Sequence, residues 1–326
     1  MTVEQWQDEA DAFDRRVRER LAAGFVPDLR KAPKCDYFYQ SVWRDPHYVN
    51  LFWGASFRSL SELIDRYAPP RRPLSLLDAG CGPGYFALEF YRSGLEVVGI
   101  DVSAASIDAA RATLAQDDTP AAECGSLRYE CLPLDRAKEI GRQFDVVLFS
   151  GILHHLHDID AALVVAKSLL HPDGILLCSE PARDSWTEKD AAQVALLRAV
   201  LALAGLWRDP TVGSSIGPDE NKLHNLVRDV FDEFVHEKDK DAGVQSPHDN
   251  ASGGDQILAA LRRHFAELEV RPGSSFIHRM LGGLRGPENQ IYAIADLLAA
   301  YDRLAVQEHW ITPTHFSFVG RVIDMS

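Results

Sequence analysis

The sequence predicts an α/β fold: a mostly parallel, seven-stranded sheet with helices on both faces. Three observations predict it. From Leu74 to Glu180 short apolar runs alternate with helical segments, the pattern of a parallel sheet built from βαβ units. The first run leads into a glycine-rich turn, Gly80 to Gly84, that opens a helix. The second run, Val97-Val98-Gly99-Ile100-Asp101, ends in an acid 23 residues after Asp78.

Each element follows from local pattern. Val3, Trp6, Ala10, Phe13, Val17 and Leu21 recur at spacings of three and four, so the chain opens with an amphipathic helix. Tyr37 to Phe57 is far denser in aromatics than the 9% average of the chain. Asp45-Pro46 can start a helix running to about Tyr67, Asp as cap and Pro in the first turn. Pro69-Pro70-Arg71-Arg72-Pro73 breaks the chain before the core. There the strands are Leu74 to Asp78, Glu96 to Asp101, Leu127 to Cys131, Phe144 to Ser150 and Ile175 to Glu180. The helices are Tyr85 to Ser93, Ala104 to Leu114 and Ile159 to Leu170. Beyond Pro181 a long helix, Glu188 to Leu206, precedes mixed polar sequence in which Asp239 to Asp255 reads as a mobile loop. Ile257 to Phe265 is then a helix, Leu268 to Arg271 a strand, Asn289 to Leu304 a helix, and His315 to Ile323 the last strand.

Composition removes several classes of function. With 34 Lys and Arg against 48 Asp and Glu, the net charge of −14 repels a phosphate backbone, and no basic patch offsets it. Nucleic acid is therefore not an expected partner. The five cysteines, Cys35, Cys81, Cys124, Cys131 and Cys178, form no CxxC pair, which fits reduced thiols in a cytoplasmic protein. No stretch reaches the roughly 20 apolar residues of a membrane span, and no signal-like leader opens the chain.

The chemistry concentrates in Asp78-Ala79-Gly80-Cys81-Gly82-Pro83-Gly84. Its glycines let the backbone turn sharply and approach a ligand, with helix N–H groups facing it. The third glycine comes one residue too early for the GxGxxG dinucleotide pattern, which makes a dehydrogenase a weak alternative. Asp101, at the end of the second strand, is placed to accept both hydroxyl hydrogens of a ribose. Together these motifs resemble the class I S-adenosylmethionine-dependent methyltransferases, over about Leu74 to Glu180 and again at the last strands. The resemblance implies a Rossmann-like sheet with an N-terminal helical cap over 1–72, a cofactor-binding core over 73–181, an acceptor lid over 182–265, and the last strands with a helical insertion over 266–326. It implies S-adenosyl-L-methionine as cofactor and S-adenosyl-L-homocysteine as product. Gly80, Cys81, Gly82 and Gly84 would lie along the methionine and ribose, with Asp78 near the amino group and Asp101, followed by Val102, on the ribose. After the third strand Pro133 and Leu134 stand where the family often has Asp-Ala, so either their backbone frames the adenine or Asp135 reaches its amine. Ser150 and Gly151 would border the transferable methyl group.

His154 or His155, just beyond the fourth strand, is the first candidate base, because an imidazole titrates near neutrality. The run His154, His155, His157, Asp158, Asp160 also invites a zinc reading, but it lacks the final His of an HxHxDH cluster, so no metal is expected. Aromatic residues such as Tyr39, Trp43 and Trp53 either pack an N-terminal layer or cap the site, where ring faces favour a sulfonium. His278 and Trp310 belong to insertions that would shape a largely apolar pocket for a small-molecule acceptor. The expected activity is methyl transfer to an O, N or C nucleophile in secondary or lipid/quinone-type metabolism. A decarboxylase or cyclase on the same fold, or a non-catalytic partner subunit, are the alternatives. Oligomeric state, a homodimer included, is left open.

Overall fold

The computed structural model describes residues 3–35, 41–209, 212, 219–235 and 252–323. Its centre is a seven-stranded sheet: β1 (Ser75–Ala79), β2 (Glu96–Asp101), β3 (Ser126–Cys131), β4 (Phe144–Ser150), β5 (Leu170–Pro181), β6 (Phe265–Pro272) and β7 (His315–Val322). Their order is β3-β2-β1-β4-β5-β7-β6. The pairings among β1 to β5 are parallel, and β7 runs antiparallel to both β5 and β6. The order reverses between β1 and β4, so a crevice opens beyond their carboxyl ends.

Alternate side chains of the central strands feed two cores, as the pleat requires. Leu76, Val97, Val146, Leu148 and Leu177 pack with helices α3 (Ala55–Tyr67) and α4 (Tyr85–Arg92). Leu77, Val98, Val147, Phe149 and Leu176 face α6 (Ile159–Leu169) and α9 (Gly254–His264). Both faces are covered, which is why these strands read as continuous apolar runs. A third core is built by the additions themselves. Phe25, Trp43 and Phe52 share it with Trp186 and Val194 of the segment after β5, with Phe234 of α8 (Glu220–Val235), and with Phe276 and Leu298 from the segment between β6 and β7.

Several elements depart from the sequence reading. The expected helix from Asp45 to Tyr67 is divided into α2 (Pro46–Val49), a π-turn (Asn50–Gly54) and α3. Asp45 still caps, accepting the His47 N–H at 2.8 Å. The wider turn aims Phe52 and Trp53 at a cavity, a use of π-turns common at functional sites. The helix α7 (Glu188–Leu203) stops short of Leu206 because Gly205, at φ +71°, lets the Leu206 N–H bond back to the Leu201 carbonyl. α8 and the short α10 (Ile277–Met280) were not anticipated. In α8 the residues Leu223, Leu226, Val227, Val230 and Phe234 carry helical spacing beneath a dense polar background. Of the expected loop Asp239 to Asp255, residues 239–251 lie outside the described residues; Ser252 is buried and Gly254 opens α9. The remaining helices are α1 (Val3–Ala22), α5 (Ala104–Leu114) and α11 (Glu288–Gln307). No helix among the described residues is long and apolar enough to cross a membrane.

Candidate active site

The turn from β1 into α4 holds Gly80, Gly82 and Gly84 at φ +81°, +51° and +85°. At Gly82 a Cβ would meet nothing within 4 Å, so this backbone faces open cavity. At Gly84 a Cβ would lie 2.6 Å from the Tyr129 hydroxyl, which donates to the Gly84 carbonyl at 3.0 Å; this glycine serves the turn rather than the cavity. Asp101 ties the loop to β2: its Oδ2 accepts the Gly82 N–H and its Oδ1 the Ser103 N–H, each at 2.8 Å. Burial, together with the Asp101 charge, pushes Asp78 up to about 7. Burial raises Asp101 to about 6, against the bonds from Ser103 and Gly82. The buried carboxyl of Asp78 and the part-buried one of Asp101 suit a ligand that brings both hydroxyl and ammonium donors. The buried Trp53 indole N–H has no hydrogen-bond partner, a second sign that a polar ligand belongs here. These features fit S-adenosylmethionine.

The cavity measures about 1380 Å³ and runs from this loop to the insertions. α1 lies over its cofactor end. The Trp6 indole donates to Asp135 Oδ2 at 3.2 Å, and Asp14 accepts from Ser103 Oγ at 2.7 Å and the Ala105 N–H at 3.0 Å. Nine of the twelve residues expected to hold cofactor line the cavity: Asp78, Gly80, Cys81, Gly82, Asp101, Val102, Leu134, Ser150 and Gly151. Gly84, Pro133 and Asp135 do not, and Asp135 instead anchors Trp6. Of the residues expected at the acceptor, Trp43, Trp53 and His278 line it. Trp310 does not; its side chain sits 55% exposed on the surface. Tyr39 lies outside the described residues.

His154 and His155 both reach the cavity wall, with ring centroids 4.1 Å apart, but their surroundings differ. His155 is buried edge-on against Phe13 of α1. His154 Nδ1 lies 2.7 Å from Glu180 Oε2, while Oε1 accepts the N–H groups of Ile152 and Leu153 at 2.9 Å each. Glu180 is 1% exposed, so the carboxylate is fixed by three donors. A carboxylate only accepts, so this bond places the Nδ1 proton on the Glu180 side. The rest of the imagined metal cluster disperses: Asp158 caps α6 through the Ala161 N–H, and Asp160 pairs with Arg263 and His264. Among the described residues no group of three or more His, Cys, Asp or Glu is arranged around a metal site.

Sequence reasoning missed Glu180 as a site residue, although an acid closing a buried strand beside His154 was the available signal. It also missed His315 and the arginines Arg183, Arg208 and Arg303, which line the cavity wall together with Arg279. Those arginines come from separate segments that only the fold brings together.

A family model described as a methyltransferase domain matches residues 52–229. The ubiquinone biosynthesis O-methyltransferase of Ruegeria pomeroyi is 31% identical over 185 residues, covering 56% of this chain and 70% of that one. The protein of the same name from a Chelativorans species is 30% identical over 184 residues, 56% of this chain and 66% of the relative. Among solved structures the 4+2 cyclase SpnF superposes with a TM-score of 0.51 at 14% identity, covering 98% of this chain and 95% of that one, a likeness of fold alone.

Proposed function

The chain belongs to the methyltransferase-domain family and is an S-adenosylmethionine-dependent methyltransferase, and from that premise we propose that it methylates a hydroxyl group of a small organic acceptor. The observation that carries this reading is the His154–Glu180 pair, a base held by a buried carboxylate, on the same cavity as the glycine loop. An amine can attack without such a group, whereas a hydroxyl gains from losing its proton as the new bond forms. The relatives' O-methyltransferase activity, directed by name to ubiquinone biosynthesis, supports a quinone-type hydroxylated ring.

Asp78, the Gly80–Gly82 backbone and Asp101 would hold the cofactor, with Leu134 on the same wall. When bound, S-adenosylmethionine supplies an electrophilic methyl carbon. Everything else is the work of the chain. α1 and the aromatic wall of Trp43, Trp53 and Tyr85 exclude water. The insertions orient the acceptor. His154 Nε2 takes the hydroxyl proton, and Glu180, bonded to the opposite nitrogen, stabilises the imidazolium that results.

The test is calorimetric titration with S-adenosylhomocysteine followed by a methyl-transfer screen of phenolic and catecholic acceptors. We expect His154→Ala to keep S-adenosylhomocysteine affinity and lower turnover by about 10²- to 10⁴-fold. Unchanged turnover would remove His154 from the mechanism. Failure to bind S-adenosylhomocysteine would overturn the assignment as a whole.

A further inference from the structure

The chain carries a net charge of −14, yet the cationic residues lining its main cavity among those described are arginines, with no lysine. Arg16 and Arg20 come from α1, beside the cofactor loop. Arg183, Arg208, Arg279 and Arg303 come from the segments after β5 and between β6 and β7, on the acceptor side. The guanidinium group is the side chain fitted to planar, bidentate contact with carboxylate or phosphate.

Two histidines stand among them. His278 and His315 meet edge to face at 4.9 Å, and both line the cavity. Neither ring nitrogen of His278 has a hydrogen-bond partner, although both are out of contact with solvent. Burial, with the neighbouring Arg183 and Arg279 charges among the causes, drives His278 well below its ordinary value and His315 down to about 3. Both rings are therefore neutral, and His278 keeps one buried N–H that nothing accepts. The buried acids nearby are committed to the protein. Asp302 accepts the backbone N–H groups of Ser275 and Phe276, and Glu233 binds Arg198 at 2.6 Å with Arg279 at 3.8 Å.

We propose that this wall recognises an oxyanion on the acceptor, a carboxylate or phosphate group, through Arg183, Arg208 and Arg279 together with the His278 ring N–H. The inference rests on the methyl-transfer reading, since it sets the anion in the same cavity as His154. It does not require these arginines to lack other partners, because each guanidinium carries five donors. It also adds to that reading: an uncharged ring with a hydroxyl is not the whole acceptor, and the reaction that supplies the acceptor must leave an acidic group on it.

The test is calorimetry at low salt on the protein saturated with S-adenosylhomocysteine, using inorganic pyrophosphate and benzoate as probes. We expect at least one of the two to bind, about tenfold or more weaker in Arg183→Gln and in Arg279→Gln, with S-adenosylhomocysteine affinity unchanged in both. Pyrophosphate as the better probe would indicate a phosphorylated acceptor, and benzoate a carboxylated one. Arg279 also faces Phe234 and Glu233, so Arg183→Gln and His278→Phe provide the decision if Arg279→Gln does not fold. S-adenosylhomocysteine binding with neither probe bound, or probe affinity equal in wild type and variants, overturns the proposal. Loss of S-adenosylhomocysteine binding by the wild type would instead strike the methyl-transfer reading, and probe binding to the free protein would still decide the oxyanion wall.

Discussion

At the scale of single residues, the two cofactor-side carboxyls have opposite consequences for binding and for stability. Asp101→Ala is expected to cost on the order of 2–3 kcal/mol of S-adenosylhomocysteine affinity, through lost ribose contacts and a loosened Gly82 loop, read by calorimetry. Asp78 is raised from 3.8 to about 7 by burial and by the charge of Asp101. A carboxyl whose folded value lies above its unfolded one favours folding fully below the unfolded value, and that contribution is lost as pH rises through the folded value. The unliganded protein should thus lose stability between about pH 4 and pH 7. Asp78→Asn should stabilise it at pH 8 by on the order of 2 kcal/mol, read as a higher melting temperature, and leave it nearly unchanged at pH 4. A difference between the two proteins that ignores pH would contradict the assignment. For Glu180→Gln, the neutral amide still accepts the backbone donors but no longer stabilises an imidazolium, so turnover should fall about tenfold or more with cofactor affinity kept.

At the scale of elements, α1 packs against α5 and lines the cavity beside the glycine loop. Asp14 is its polar hinge to the start of α5, and Val17 meets Ala105 and Ala109 of that helix. Asp14→Ala is expected to weaken S-adenosylhomocysteine by about tenfold while the melting temperature moves little; equal affinity would show that α1 does not cover the cofactor. What could be read from sequence follows the same scale. β1, β2, β4 and the glycine turn were legible because they are local and repeat a two- or four-residue logic. Glu180 as the partner of His154, the arginine wall and the π-turn at Asn50–Gly54 were not, because each depends on which distant segments meet. The adenine side shows the same limit: Asp135 follows the right strand, but Trp6, far away in sequence, claims it.

At the scale of the whole molecule, the segment after α1 is locked to the core by one buried cation. The Arg92 side chain is fully buried and binds Asp28, Glu89 and Asp117, with closest distances of 2.8, 2.7 and 2.6 Å. Arg92→Leu leaves three carboxylates without it and should cost about 3–5 kcal/mol, measured as a shift in the urea midpoint. A shift under about 1 kcal/mol would mean that water replaces the guanidinium freely. Finally, β7 runs antiparallel to its neighbours β5 and β6. Its first residue, His315, pairs with Pro181 at the end of β5, and Pro272 at the end of β6 pairs with Phe316. The chain between them, residues 273–314, thus leaves and re-enters the sheet at the ligand edge without crossing it. We propose that changes within this segment would alter which acceptor fits while the strands that carry the glycine loop and Asp101 keep their pairing.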